Sequence, residues 1–128
     1  MKKLLVTAIL LLCTAAPVAA IFWYEAARRE GFTAEILARS PERGNFLPRK
    51  LSFPVGKEKV RLRIRNVDTV THGFASPALG IEAIEVTAGH VAIVEFTPTT
   101  PGTYAFYCTA WCSEHHLQMK GVIEITKK

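Results

Sequence analysis

Within residues 58–66 the chain carries a clear alternation: Val60, Leu62 and Ile64 are apolar, and Arg61, Arg63 and Arg65 are charged. A period of two sends one set of side chains to each face of an extended strand, which no helix can do. The pattern predicts a strand with one face on a core and the other in water. The three arginines are read as that solvated face rather than as an anion site. Weaker versions recur. Phe32, Ala34, Ile36 and Ala38 alternate with Thr33, Glu35, Leu37 and Arg39, and further short strands are expected at residues 51–55, 71–76, 81–86, 90–96, 103–108 and 122–126. Pro54 cannot donate to a ladder, so residues 51–55 are expected at a sheet edge. Breakers Pro41, Gly44, Asn45 and Pro48 make residues 40–48 a loop, with further turns at residues 66–68, 88–89 and 97–102. Seven or so short strands in ~100 residues, with no internal repeat, predict an all-β fold, an antiparallel β-sandwich or Greek-key barrel.

That pattern starts only at residue 32. Ahead of it, residues 4–24 form a run of 21 without a formal charge, preceded by Lys2 and Lys3, the layout of an export signal or a membrane anchor. Val18 and Ala20 fit the small positions before a signal cleavage. The run nevertheless continues into Ile21, Phe22, Trp23 and Tyr24, close to the ~20 residues that span a bilayer, and ends on aromatics suited to an interface. Anchor and cleaved signal both stay open. The expected organisation is residues 1–24 as signal or anchor, 25–31 as a polar linker and 32–128 as one exported domain, which a chain of 128 residues has room for. Lys2 and Lys3 are two of 16 basic residues, and the rest exceed the 11 acids by only three. With 49% hydrophobic residues and no interleaving of basic and aromatic side chains, neither a disordered chain nor a nucleic-acid partner is expected.

The chemistry concentrates between the last two strands. Cys108, Cys112, His116 and Met119 stand at offsets 0, 4, 8 and 11. Those offsets also fit one face of a short helix, and an oxidising compartment permits a Cys108–Cys112 disulfide. Flanking strands argue against the helix; the disulfide would close a very short loop and leave His116 and Met119 without a role. Zinc takes Cys and His, but a thioether is a ligand for soft copper. A mononuclear electron-transfer copper needs only one thiolate. Two thiolates can bridge two ions, each capped by an imidazole, and His72, just after the 66–68 turn, supplies the second one. His115 and His90 miss the spacing. No nucleophile with a base, no paired carboxylates and no phosphate loop appear, so no catalysis beyond one-electron transfer is expected.

Asp68-Thr69-Val70-Thr71-His72-Gly73-Phe74, then Thr100-Pro101-Gly102-Thr103-Tyr104, then CxxxCxxxHxxM from Cys108 to Met119 resemble the binuclear CuA domain of cytochrome c oxidase subunit II, over residues 32–128. The C-terminal cupredoxin domain of nitrous oxide reductase is similar, including Lys120-Gly121 after the methionine. The resemblance implies a cupredoxin-like Greek-key β-sandwich or barrel preceded by an N-terminal hydrophobic helix. It implies two copper ions, with Cys108 and Cys112 as bridging thiolates, His72 and His116 as terminal imidazoles, Met119 as a weak ligand and Ala110 as a ligand through its carbonyl. It further implies a respiratory electron relay at the periplasmic face of the membrane. Its donor would be a c-type cytochrome or another cupredoxin, and its acceptor the catalytic subunit of a haem-copper oxidase or a related reductase. A copper carrier or assembly factor for such a complex is the alternative. Two departures stand out. Many oxidase subunits have a glutamate at the position of Ala110, which also reaches a magnesium site; and their tryptophan-rich stretch ahead of the site has only Phe46 as its aromatic here, in residues 40–48. Trp111, inside the loop, is expected either to take over electron entry or to cover the site, where Phe74 and Phe106 also exclude water.

Overall fold

The computed structural model describes residues 2–29 and 31–127, and the chain divides at Gly31 into two compact units. The first is one helix, α1 (Lys2–Arg29). Its stretch Lys3–Ala27 is 25 residues of mean hydropathy 2.5, longer at 1.5 Å per residue than a ~30 Å hydrocarbon layer. The helix satisfies its own polar side chains: Thr7 Oγ1 donates to the Lys3 carbonyl at 3.0 Å and Thr14 Oγ1 to that of Leu10 at 2.9 Å. Residues 25–29, expected as part of a linker, continue the helix.

The second unit holds eight strands: β1 (Ala34–Ala38), β2 (Lys50–Pro54), β3 (Val60–Asn66), β4 (His72–Ser76), β5 (Ile81–Val86), β6 (Val91–Phe96), β7 (Gly102–Tyr107) and β8 (Lys120–Thr126). They form two sheets, ordered β1-β3-β6 and β2-β8-β7-β4-β5. On β3, Val60, Leu62 and Ile64 are buried. Arg61 and Arg63 lie over the Phe32 ring and pair with Glu95 at 2.9 Å and Glu35 at 3.2 Å, so this face is polar as expected, but of its arginines only Arg65 is well exposed and the Arg63 side chain is 12% exposed. β2 is a sheet edge, where Pro54 costs no ladder bond.

The expectation of a purely antiparallel fold is corrected. β1 runs parallel to β3, and β2 parallel to β8. The cause lies in the 40–48 loop. It carries the chain from the small sheet to the large one, so β3 returns beside β1 only after a crossover, and crossovers make parallel neighbours.

Ile36, Phe46, Leu62, Ile64, Phe74, Phe106 and Ile123 have no solvent exposure. Each contributes ~1.5–3 kcal/mol by burial. Phe46, Phe74 and Phe106 form an aromatic cluster with centroids 5.2–5.8 Å apart. β8 fits against it because Gly121 has no side chain: a Cβ there would run into the Phe106 ring and the Arg49 carbonyl. The β7–β8 register joins Tyr107 to Lys120, and β4 lies antiparallel on the other side of β7. The start of β4, the end of β7 and the start of β8 therefore share one end of the sheet. His72, Cys108 and Met119 sit at those three strand ends.

Candidate metal centre

His72 opens β4 and is fully buried. The turn before it is built by Asn66, whose side-chain amide donates to the Val70 and Val86 carbonyls at 2.7 Å and whose Oδ1 accepts from the Asp68 amide at 2.9 Å. That turn aims Asp68 at the imidazole, with Oδ2 3.2 Å from Nε2. The Ser40 amide (2.8 Å) and hydroxyl, the Thr69 amide (2.8 Å) and Arg43 Nη1 (3.0 Å) all donate to the same carboxylate. Burial opposes its ionisation, but these donors prevail and hold Asp68 well below the ordinary carboxylate range. Burial lowers the His72 pKa in turn, with Asp68 partly offsetting it. A neutral His72 that donates from Nε2 to Asp68 turns the Nδ1 lone pair toward the thiols, the form a metal needs.

The loop between β7 and β8 is pinned at its base, where the Cys108 amide donates to the Met119 carbonyl at 2.9 Å. It is not a helix beyond the single 3-10 turn His116–Gln118. Cys108 Sγ accepts the Gly73 amide at 3.2 Å and lies 4.0 Å from His72 Nδ1, 3.2 Å from the Ala110 carbonyl oxygen and 4.0 Å from Cys112 Sγ. The two sulfurs are not bonded, since a disulfide holds them ~2.05 Å apart. Cys112 Sγ lies 3.6 Å from His116 Nδ1 and 3.7 Å from Met119 Sδ. Gly73 is what allows this packing, because a Cβ there would strike the Thr109 side chain and the amide nitrogens of Thr109 and Ala110.

All six residues singled out from the sequence, His72, Cys108, Ala110, Cys112, His116 and Met119, thus meet in one place. The donor atoms of His72, Cys108 and Cys112 lie within 4.8 Å of one another. Metal–nitrogen and metal–sulfur bonds of ~2.0–2.3 Å place two donors of one ion roughly 3–4.5 Å apart, so the spacing fits bound metal. The electrostatics fit as well. Burial, followed by the neighbouring Cys108, pushes the Cys112 thiol up to about 12, so two thiolates here call for a cation between them.

His115 turns away, its Nδ1 2.7 Å from Glu42 Oε1, and His90 lies in an exposed turn against the Ala88 carbonyl. Phe74 and Phe106 seal the inner side of the site, whereas Trp111 is 75% exposed with its ring 5.8 Å from that of His116. Trp111 therefore flanks the site without closing it. Sequence reasoning missed Asp68, Ser40, Arg43 and Asn66 as supports. A buried Asn-x-Asp turn ahead of a histidine was the available signal for Asn66 and Asp68.

A two-sheet β-sandwich that holds thiolate, imidazole and thioether donors at one end of its strands is the architecture of a copper domain. The chain belongs to the cupredoxin-like domain family, whose profile matches residues 4–124. Among the proteins it is similar to, the cytochrome c oxidase subunit 2 of Thermus thermophilus is 32% identical over 80 residues, 62% of this chain and 57% of that protein. The nitrous-oxide reductase of Cupriavidus necator is 34% identical over 91 residues, 69% of this chain but only 13% of that protein. The chain thus spans a small part of the reductase and just over half of the oxidase subunit. A chain of a heme-copper terminal oxidase dimer solved by cryo-EM shares the fold, with a TM-score of 0.61 at 21% identity over 98% of both chains.

Proposed function

We propose that the domain is a one-electron relay built around a binuclear copper centre of the CuA type. Cys108 and Cys112 would bridge two copper ions, His72 and His116 would cap them, and Met119 and the Ala110 carbonyl would bind weakly. The observation that carries this reading is the second thiol: Cys108 and Cys112 face each other at 4.0 Å in a buried cluster with an imidazole at each end. A single-copper site has no use for it. When bound, such a pair supplies a metal valence shared between two ions, so each metal–ligand bond changes little as an electron arrives or leaves.

The chain's own residues serve the same end. Asp68 fixes the tautomer and plane of His72, the Gly73 amide donates to Cys108 Sγ, and the Cys108–Met119 backbone bond closes the loop, so the donors are held before metal arrives. Phe74 and Phe106 keep water from the inner side. Likeness to oxidase subunit 2 supports a periplasmic setting, with α1 as membrane anchor or signal, residues 32–128 as the working domain, a c-type cytochrome or cupredoxin as donor and a haem-copper catalytic subunit as acceptor.

The test is copper content with electron paramagnetic resonance on protein whose thiols are reduced before copper loading and whose loaded centre is then oxidised. Two ions per chain and a multi-line mixed-valence spectrum are expected. One ion per chain would overturn the binuclear reading, and a colourless, silent Cu(I) protein that surrenders its metal would favour a copper carrier.

A further inference from the structure

We propose that residues 40–45 form a clasp that fixes the two arms of the metal site against each other, with Glu42 the positioning residue for the loop that carries His116 and Met119. The inference rests on reading the site as a metal centre. One arm is the start of β4, where Asp68 holds His72; the other is the 113–119 stretch of the loop. Five contacts reach them from four residues of this six-residue segment. The Ser40 amide and hydroxyl and the Arg43 guanidinium donate to Asp68. Glu42 Oε1 lies 2.7 Å from His115 Nδ1, and Asn45 Nδ2 donates to the Gln118 carbonyl at 2.8 Å.

Local geometry makes the piece stiff. Pro41 opens the 3-10 turn Pro41–Arg43 with its fixed φ, and the Arg43 and Asn45 amides both return to the Ser40 carbonyl at 2.8 and 3.1 Å. Gly44 and Asn45 take positive φ of 121° and 66°, which turns the chain out of the 3-10 turn toward Phe46. Phe46 then plugs into the aromatic cluster and ties the clasp to the core. Its complete burial also removes the one aromatic that this segment had to offer an electron donor. Holding the site is the role that remains for the segment.

An exposed Glu–His pair alone contributes little. The loop, however, has one 3-10 turn for internal structure, and the Glu42 and Asn45 contacts bracket it, so their removal should show as local opening. Full-length Glu42→Ala, Glu42→Gln and Asn45→Ala proteins are compared by amide hydrogen exchange in the reduced, metal-free state and by the rate of copper loss to a chelator. Glu42→Ala and Asn45→Ala should each speed exchange of the His116, Gln118 and Met119 amides roughly two- to fivefold while β3 and β8 stay unchanged. Glu42→Gln keeps an acceptor oxygen and should stay near the parent. Copper loss should quicken in the same order at unchanged copper content. Unaltered loop exchange in Glu42→Ala, or a rise spread evenly over the domain, would overturn the clasp. Loop-confined exchange in a protein that never binds two coppers would leave the clasp standing and remove the binuclear reading instead.

Discussion

Asp68 is buried with its negative charge, and its donors come from Ser40, Arg43, Thr69 and His72. Asp68→Ala would strand those donors, at a cost of ~2–4 kcal/mol of stability in the metal-free domain. The pH dependence follows from two depressed pKa values. His72 is held neutral by burial, so the unfolded chain protonates first and stability falls as pH drops below about 6.5. Asp68 stabilises the fold above the ordinary carboxylate range of ~4, and that contribution is lost as pH falls further toward its depressed native value. Urea midpoints of the metal-free protein should therefore decline on acidification, with a shallower limb below pH ~4 in Asp68→Asn; midpoints that rise toward acid would contradict both assignments. At the proposed ligands, His116→Ala should destroy the centre. Met119→Leu, nearly equal in volume, should keep two coppers and raise the reduction potential, because a donor to the oxidised form is gone. His115→Ala should keep two coppers and leave the potential near the parent. Copper content and potential, measured in parallel, decide. A centre lost with His115 and kept without His116 would mean the loop register is misread. The donor residues were legible because their spacing is local. The anchoring of Asp68 to Ser40 was not, since the two are 28 residues apart and nothing in either residue's neighbourhood announces the contact.

At the scale of elements, β3 was legible because both its faces are uniform, though it opens at Val60 rather than at residue 58, whereas its parallel pairing with β1 was not. A period of two reads the same whichever way the neighbour runs, so direction is decided by the crossover through the 40–48 loop. Register is a further step from sequence. Gly121 was marked only by the resemblance and lay ahead of the strand expected at residues 122–126, yet it is inside β8 and is the contact surface for Phe106 and the Arg49 carbonyl. Gly121→Ala should lower stability by ~1–3 kcal/mol. Gly56→Ala, whose Cβ would meet only the Pro54 carbonyl at 3.9 Å, should be close to neutral. Denaturation of the two variants side by side checks this; equal midpoints would mean that β8 shifts at no cost and that the aromatic cluster does not set its position.

For the whole molecule the question is what covers α1. Leu4, Leu5, Leu12, Phe22 and Trp23 are each more than 60% exposed, and none of the 18-residue window that marks the span is buried. Water does not tolerate an apolar surface of that extent, so the segment must enter a bilayer or be removed. That this segment stands apart from the strand-forming part was legible from the charge-free run of residues 4–24, because a run that long has no place in a small β-sandwich. The choice between anchor and signal was not, as both share a basic start and an apolar body. Structure adds one argument. The helix passes Ala20 without a break, and its stretch Lys3–Ala27 is long and apolar enough to cross a membrane. An anchor also suits an electron relay, since it keeps the domain at the surface where its proposed acceptor resides. Lys2 and Lys3 would stay on the cytoplasmic side and the copper domain would face outward. The full-length protein, expressed in a bacterium, should therefore remain with the membranes after carbonate and high-salt washes and retain its N-terminal lysines. Recovery of a soluble chain whose first residue is Ile21 would show instead that α1 is a signal, and that the domain reaches its partners by diffusion.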